Sequence, residues 1–151
     1  YIGANTVVDQ TIDYTNARPA DRIGLSPVVS ASIGERMNLE LAHNYETLEV
    51  DDGRLYTANA TYLKGTYLFS RRTALRAILQ YVDYAFNTDL YADGRDSESQ
   101  QMASQILFSY EINPQTVLYL GYSDNHYGGG ETDLTQNDRT LFAKIGYAFV
   151  R

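Results

Sequence analysis

The sequence predicts an all-β fold: a transmembrane, antiparallel, up-and-down β-barrel of about eight strands, either closed or forming the last eight strands of a larger barrel. Two observations predict it. Apolar and polar residues alternate with a period of two in one segment after another, which is typical of strands with one apolar and one polar face. Turn-forming residues separate eight such segments, and no apolar run approaches the roughly 20 residues that a membrane helix requires.

The candidate strands are long. They cover residues 3–15, 23–34, 37–50, 54–69, 73–87, 101–113, 116–126 and 138–150. Several exceed the roughly 5 or 6 residues usual in soluble sheets and match the roughly 9 to 11 residues that cross a bilayer at a tilt. No linker or change of composition divides the chain, so residues 1–151 are predicted to form a single outer-membrane β-barrel domain or barrel segment.

The alternation assigns one row of each strand to lipid and the other row to the barrel interior. The residues predicted to face lipid are Leu39, Leu41, Leu75, Leu79, Ile106, Phe108, Leu141, Ile145, Tyr147 and Phe149. The charged residues predicted to face the interior are Glu40, Glu46, Lys64, Arg76, Glu111 and Lys144. Because the interior of an eight-stranded barrel is just wide enough for side chains, these charges are predicted to form a structural salt-bridge network that fills it.

The connections are predicted to alternate between short turns and longer loops, as they do in outer-membrane barrels. The short turns are residues 34–36, 70–72 and 113–115. The longer or more polar connections are residues 16–22, 88–100 and 127–137, with the tight turn at 51–53 as the exception on that side. Within the last of these, the three consecutive glycines at 128–130 are predicted to be a flexible loop tip.

Composition limits the partners. A net charge of −7 without clustered Lys and Arg excludes a nucleic-acid partner, because phosphate binding requires such clusters. The chain has 14 Tyr and no Trp, and Tyr suits a membrane interface because its ring is apolar and its hydroxyl is polar. Five tyrosines near predicted strand ends are expected to form two aromatic girdles: Tyr14, Tyr67, Tyr84, Tyr122 and Tyr147.

No catalytic, cofactor-binding or metal-binding residue is predicted. The chain has no Cys, and its two histidines, His43 and His126, lie far apart in the predicted strand order. Ser123, Asp124 and His126 are close in sequence but lack the surroundings of a nucleophile elbow. The acidic segments 88–100 and 127–138 lack the full spacing of a calcium-binding loop, so they are expected to be solvated loops.

The alternation leaves a second fold open. A soluble, lipocalin-like binding module would show the same period of two, with the apolar rows forming a core and the charges outside. An outer-membrane hydrolase is a third alternative, although no active-site arrangement supports it. The two folds differ in where the charged face of the sheet lies. It is the outer surface in the soluble module and the interior surface in the membrane barrel.

Segments across the last two-thirds of the chain resemble a known family. They read LELAHNYETLEV at 39–50, TALRAILQY at 73–81, ILFSYEINPQTVLYLGYSDN at 106–125 and DLTQNDRTLFAKIGYAF at 133–149. These segments resemble the C-terminal barrel of a large uncharacterised bacterial envelope family, whose members often carry a family 9-like carbohydrate-binding module ahead of the barrel. The sequence departs from that family by lacking the module and by ending in Val150 and Arg151 instead of a terminal aromatic residue.

The resemblance implies an architecture and a location. It implies a bacterial outer-membrane barrel that anchors the protein or, if part of a wider barrel, forms a transport channel. The implied partners are membrane lipids and lipopolysaccharide, the barrel-assembly machinery and a periplasmic domain of the same full-length protein. The departures lead us to expect that the sequence is part of a larger barrel. No catalytic activity and no cofactor are implied.

Overall fold

A computed structural model describes residues 1–13, 17–91, 93–130 and 132–148. They form eight strands, which are β1 (Ile2–Asp13), β2 (Arg18–Ile33), β3 (Met37–Val50), β4 (Gly53–Ser70), β5 (Thr73–Phe86), β6 (Glu98–Asn113), β7 (Thr116–Gly129) and β8 (Thr132–Tyr147). The only helical segment in these ranges is a single 3-10 turn, Thr88–Leu90. The predicted number of eight strands is therefore confirmed, each overlapping its predicted segment.

The strands form one sheet in which each strand pairs with the next one along the chain. All seven pairings are antiparallel, and the order across the sheet is β1 to β8. The predicted antiparallel up-and-down topology is confirmed. Within the described residues β1 and β8 do not pair with each other, so the sheet is open and has two edges.

Tight turns join most neighbouring strands. Gly34 has φ 60° in the β2–β3 turn, a left-handed conformation that costs glycine little because it lacks a Cβ. The expectation of a long loop at residues 127–137 is wrong. β7 runs to Gly129 and β8 begins at Thr132, so most of these residues belong to strands. Gly128 and Gly129 pair with β6 and are not a loop tip. Polar Thr, Gln and Asn interrupt the apolar pattern there, but backbone hydrogen bonds still extend the hairpin.

The first hairpin also extends further than predicted. β2 begins at Arg18 and not at residue 23, so the predicted connection over 16–22 is mostly strand. Asp9 opposite Arg22 and Asp13 opposite Arg18 are cross-strand pairs of opposite charge, which stabilise this extension. Residues 87–97 are therefore the one long connection in the described part of the chain.

Strand ends shift across the sheet. Straight across from Met37, the register passes through Phe108 in β6 and reaches Ala143 in β8. β1 begins at Ile2, four residues short of this line, whereas β8 continues four residues beyond it to Tyr147, a total of eight residues over seven strand steps. The shift is about one residue per strand, or ~3.3 Å of rise for ~4.8 Å of strand spacing. Relative to a common axis, the strands are therefore tilted by about 35°.

The sheet buries few of its side chains. Its accessible surface is 10520 Å², whereas a compact monomer of 17.0 kDa exposes about 7,700 Å². In the described residues, the buried apolar side chains are Ala20, Leu48 and Leu55 alone. All three lie near the ends of their strands on the side of the β5–β6 connection. The large apolar side chains of the strand centres consequently have no protein core to fill.

Candidate functional site: two faces and an inward-folded loop

Directly paired residues of an antiparallel sheet place their side chains on the same face, so the register sorts every strand into two rows. Leu41 pairs with Leu63, and Leu63 pairs with Leu79. Phe108 pairs with Leu120 on the same face further along the sheet. We call this side the apolar face and the opposite side the polar face.

Nine of the ten residues predicted to face lipid lie on the apolar face, and Phe149 lies outside the described residues. They are Leu39, Leu41, Leu75, Leu79, Ile106, Phe108, Leu141, Ile145 and Tyr147. Many are open to the surroundings, with Leu79 41%, Ile106 46% and Leu141 83% exposed. The sequence therefore predicted one continuous apolar surface correctly across strands that are distant in the chain.

The apolar surface has a definite height. In β3 it rises from Met37 to Tyr45 over eight residue steps, about 26 Å along the strand and about 22 Å along an axis tilted by ~35°. No charged side chain interrupts the apolar face over this height in the described strands. Asp83, Asp124 and Arg139 lie on the same face just beyond it, towards the end that carries the β5–β6 connection.

Tyrosines mark both borders of this surface. Tyr67, Tyr110 and Tyr147 lie at the border near the short turns. Tyr45, Tyr81 and Tyr122 lie at the other border. Of the tyrosines predicted to form girdles, Tyr84 is an exception, because the register places it on the polar face beside Tyr56 and Phe86. Tyr14 lies outside the described residues.

The polar face carries all six charged residues that were predicted to face the interior. These are Glu40, Glu46, Lys64, Arg76, Glu111 and Lys144. Although all six are described, no ion pair joins any two of them, so the predicted network among these residues is not formed. They are spread over five strands, and only Glu40 and Lys64 are direct cross-strand neighbours.

Other groups make the polar contacts on this face. Arg22 binds Asp9 across the β1–β2 pair, with Nη2 2.6 Å from Oδ2. Glu46 accepts a hydrogen bond of 2.6 Å from the Tyr56 hydroxyl. Both of these contacts join residues that adjacent strands place directly or nearly opposite each other.

The β5–β6 connection, residues 87–91 and 93–97, folds over the polar face. The Asn87 amide donates to the Leu55 carbonyl at 2.9 Å, and the Phe86 amide donates to the Ser97 carbonyl at 2.7 Å. Leu90 and Tyr91 pack against the buried cluster of Ala20, Leu48 and Leu55. The expectation of a solvated loop at 88–100 holds for its acidic residues Asp89, Asp93, Asp96 and Glu98, which are exposed, whereas Leu90 and Tyr91 are partly buried against the sheet.

Arg18 connects this loop to the neighbouring strand ends. Its Nε donates to Asp13 Oδ2 at 3.1 Å, its Nη1 to Asp52 Oδ2 at 3.0 Å, and its Nη2 to the Leu90 carbonyl at 3.4 Å. Asp13 is buried and Asp52 is exposed. One planar guanidinium therefore joins the end of β1, the β3–β4 turn and the loop, a task that suits the forked donors of arginine.

Arg95 organises the rest of the loop. Its guanidinium lies 3.7 Å from the ring centre of Tyr91 and 5.1 Å from that of Phe86, and it donates to the carboxylate of Asp93. The hydrogen bonds from Arg95 lower the pKa of Asp93. Burial raises the pKa of the Tyr91 hydroxyl, the expected direction for an acid that becomes charged on losing its proton.

The possible triad at Ser123, Asp124 and His126 is not assembled. Ser123 and Asp124 point to opposite faces, because they are adjacent in a strand. The Asp124 carboxylate instead accepts hydrogen bonds from Ser104 Oγ and, at 3.0 Å, from the Tyr122 hydroxyl. His43, on the apolar face, shares a hydrogen bond of 2.9 Å between its Nδ1 and Thr61 Oγ1.

Arg18, Tyr91 and Arg95 are the structured polar residues that sequence reasoning missed. The signal was present in the loop itself, where Leu90, Tyr91 and Arg95 interrupt a run of acidic and small residues. A loop that stays in solvent has little use for two large apolar or aromatic side chains. The sequence alone does not show that Arg18 lies beside Leu90, because 72 residues separate them.

No family model, no curated protein and no solved structure matches this chain. The described residues include no helix that combines the length and apolarity needed to cross a membrane. In the same residues, no three His, Asp or Glu side chains are grouped so that they could hold a metal ion. The function is therefore inferred from the chain's own faces, register and loop contacts.

Proposed function

We propose that this chain is an integral β-barrel protein of the bacterial outer membrane, in which the eight strands form part of a wider barrel that anchors the protein and serves as a transport channel. The observation that carries the proposal is the apolar face. It is continuous across the sheet, free of charge over about 22 Å and bordered by tyrosines on both sides. Known outer-membrane barrels present an apolar band of about 25 Å between two aromatic girdles.

The geometry of the strands supports the same proposal. A tilt of about 35° lies within the range for barrels, and a shift of about one residue per strand is the stagger that closing a sheet requires. The polar face, rich in Ser, Asn, Gln and paired charges, suits a wet interior. The resemblance described above implies the same location, with lipids, lipopolysaccharide and the barrel-assembly machinery as partners.

The two alternatives have less support. A soluble lipocalin-like module needs its apolar rows packed together, whereas Leu79 and Ile106 are 41% and 46% exposed. A hydrolase needs a nucleophile with an adjacent base, whereas Ser123 and Asp124 lie on opposite faces. An inward-folded loop favours a barrel of more than eight strands, since the interior of an eight-stranded barrel only just holds side chains.

Single tryptophans test the proposal cleanly because the chain contains none. Leu79→Trp places an indole on the apolar face, and the matched control Gln80→Trp places it one residue away on the polar face. In vesicles containing brominated lipids, we expect strong quenching of the emission at position 79 and weak quenching at position 80.

The opposite pattern would contradict the proposal. Equal, weak quenching at both positions, with the protein soluble after detergent removal, would support the soluble module instead. Strong quenching at both positions would place both faces in lipid and would exclude a water-filled interior.

A further inference from the structure

The β5–β6 connection lies against the polar face of the sheet. It begins at the end of β5, yet its Leu90 carbonyl accepts a hydrogen bond from Arg18 in β2, three strands away, and Leu90 and Tyr91 pack against the cluster of Ala20, Leu48 and Leu55. At ~4.8 Å per strand, the loop and the Arg18 side chain together span about 14 Å of the polar face. Its backbone is bonded to Leu55 at the edge of β4. The only buried apolar cluster in the described residues is the contact between this loop and the sheet.

The loop and the sheet border a half-open space of about 270 Å³. Its walls carry both signs of charge, with Arg22 and Arg95 facing Asp13 and Glu46, and Phe86 contributes an aromatic ring. The charged groups of these walls are already bonded to partners within the protein. The arrangement is thus a self-supporting structure built onto the polar face.

The geometry points to an inward-folded constriction: residues 87–91 and 93–97 narrow the aqueous path along the polar face near the end of the strands, and Arg18 latches them there. This inference rests on the proposed function, since a constriction requires a water-filled barrel. Arg18 is the latch because, among the described residues, it alone bonds a strand end, a neighbouring turn and the loop, through Asp13, Asp52 and the Leu90 carbonyl. Leu90 and Tyr91 supply the apolar contact that seats the loop.

Limited proteolysis tests whether Arg18 holds the loop in place, and this test does not require a working channel. Trypsin cleaves after Arg95, which is held in the seated loop by Asp93 and two aromatic rings. In the protein in detergent, we expect Arg18→Gln to raise the rate of cleavage after Arg95 about tenfold. Asp52→Asn removes one of the three contacts and is expected to raise it about threefold.

The matched control is Arg54→Gln. Arg54 forms an exposed ion pair of 3.3 Å with Glu49 at the same end of the sheet, without a bond to the loop. We expect cleavage after Arg95 to proceed there at the wild-type rate. Circular dichroism verifies that each variant retains its strands. Equal rates in folded Arg18→Gln and Arg54→Gln would overturn the latch.

Single-channel recording in planar lipid bilayers tests the constriction. Replacing residues 88–96 with a two-residue Asn-Gly turn is expected to raise the conductance about twofold, because the aqueous path widens. Unchanged conductance, or no conductance in either protein, would overturn the constriction. Tryptophan quenching at position 79 distinguishes failure of the constriction from failure of the proposed function. If position 79 is not quenched, the membrane assignment fails. The proteolysis result decides in either case whether Arg18 holds the loop in place.

Discussion

At the scale of single residues, Phe142 and Gly121 form a close cross-strand contact. They pair directly across β7 and β8 on the polar face, and the Phe142 ring covers Gly121, where a Cβ would collide with it. We expect Gly121→Ala to destabilise the protein by about 1–2 kcal/mol in urea unfolding from detergent micelles, because the half-buried ring must move. In a Phe142→Ala background the same substitution should cost almost nothing.

Gly146→Ala is the control for this pair. Gly146 lies on the same face of β8, and a Cβ there would meet Tyr119 at 3.7 Å, an ordinary contact. Its substitution should change the free energy of unfolding little in either background. An additive double-mutant cycle for positions 121 and 142 would show that the ring does not rest on the glycine.

At the scale of elements, the β5–β6 loop is expected to open in acid. Arg95 lowers the pKa of Asp93 below its ordinary value of 3.8, so the stabilisation is complete above that pH and is lost as pH falls through the lowered value. The emission of a Leu90→Trp variant should therefore shift to longer wavelength below pH 3.8. Adding Asp93→Asn should produce part of this shift already at neutral pH.

An acid-induced shift of the same size at the same pH in the Asp93→Asn variant would contradict this origin. Asp133→Asn is the control, since Asp133 lies in β8 and is exposed. It should leave both the neutral emission and the acid-induced shift unchanged.

The elements also show where sequence reasoning succeeds and where it ends. The period of two located all eight strands and placed nine of the residues predicted to face lipid on one face, because alternation depends only on neighbours along the chain. It misplaced the ends of β2, β7 and β8, where polar residues continue a ladder held by backbone bonds. It also could not place Leu90 against the cluster of Ala20, Leu48 and Leu55, because these residues lie in three strands that are distant in the sequence from the loop.

At the scale of the whole molecule, the open edges decide which barrel the strands belong to. β1 and β8 are unpaired with each other, and Ile2, Val8 and Leu141 are at least 80% exposed on them. Long apolar edges of this kind pair with other strands in a stable protein. The described sheet is therefore expected to be one arc of a wider barrel, which also leaves room for the loop.

Cysteine pairs separate this arrangement from an eight-stranded barrel closed on itself. If the shift of about one residue per strand continued from β8 to β1, Ala4 would lie opposite Ile145, close enough for a disulfide. The chain has no cysteine, so Ala4→Cys with Ile145→Cys gives an unambiguous readout on non-reducing gels. We expect no cross-link within a single chain in vesicles, whereas Leu63→Cys with Leu79→Cys, which pair across β4 and β5, should cross-link as the control. Efficient linkage of positions 4 and 145 would instead mean that the eight strands close alone, with an interior filled by side chains and no continuous channel.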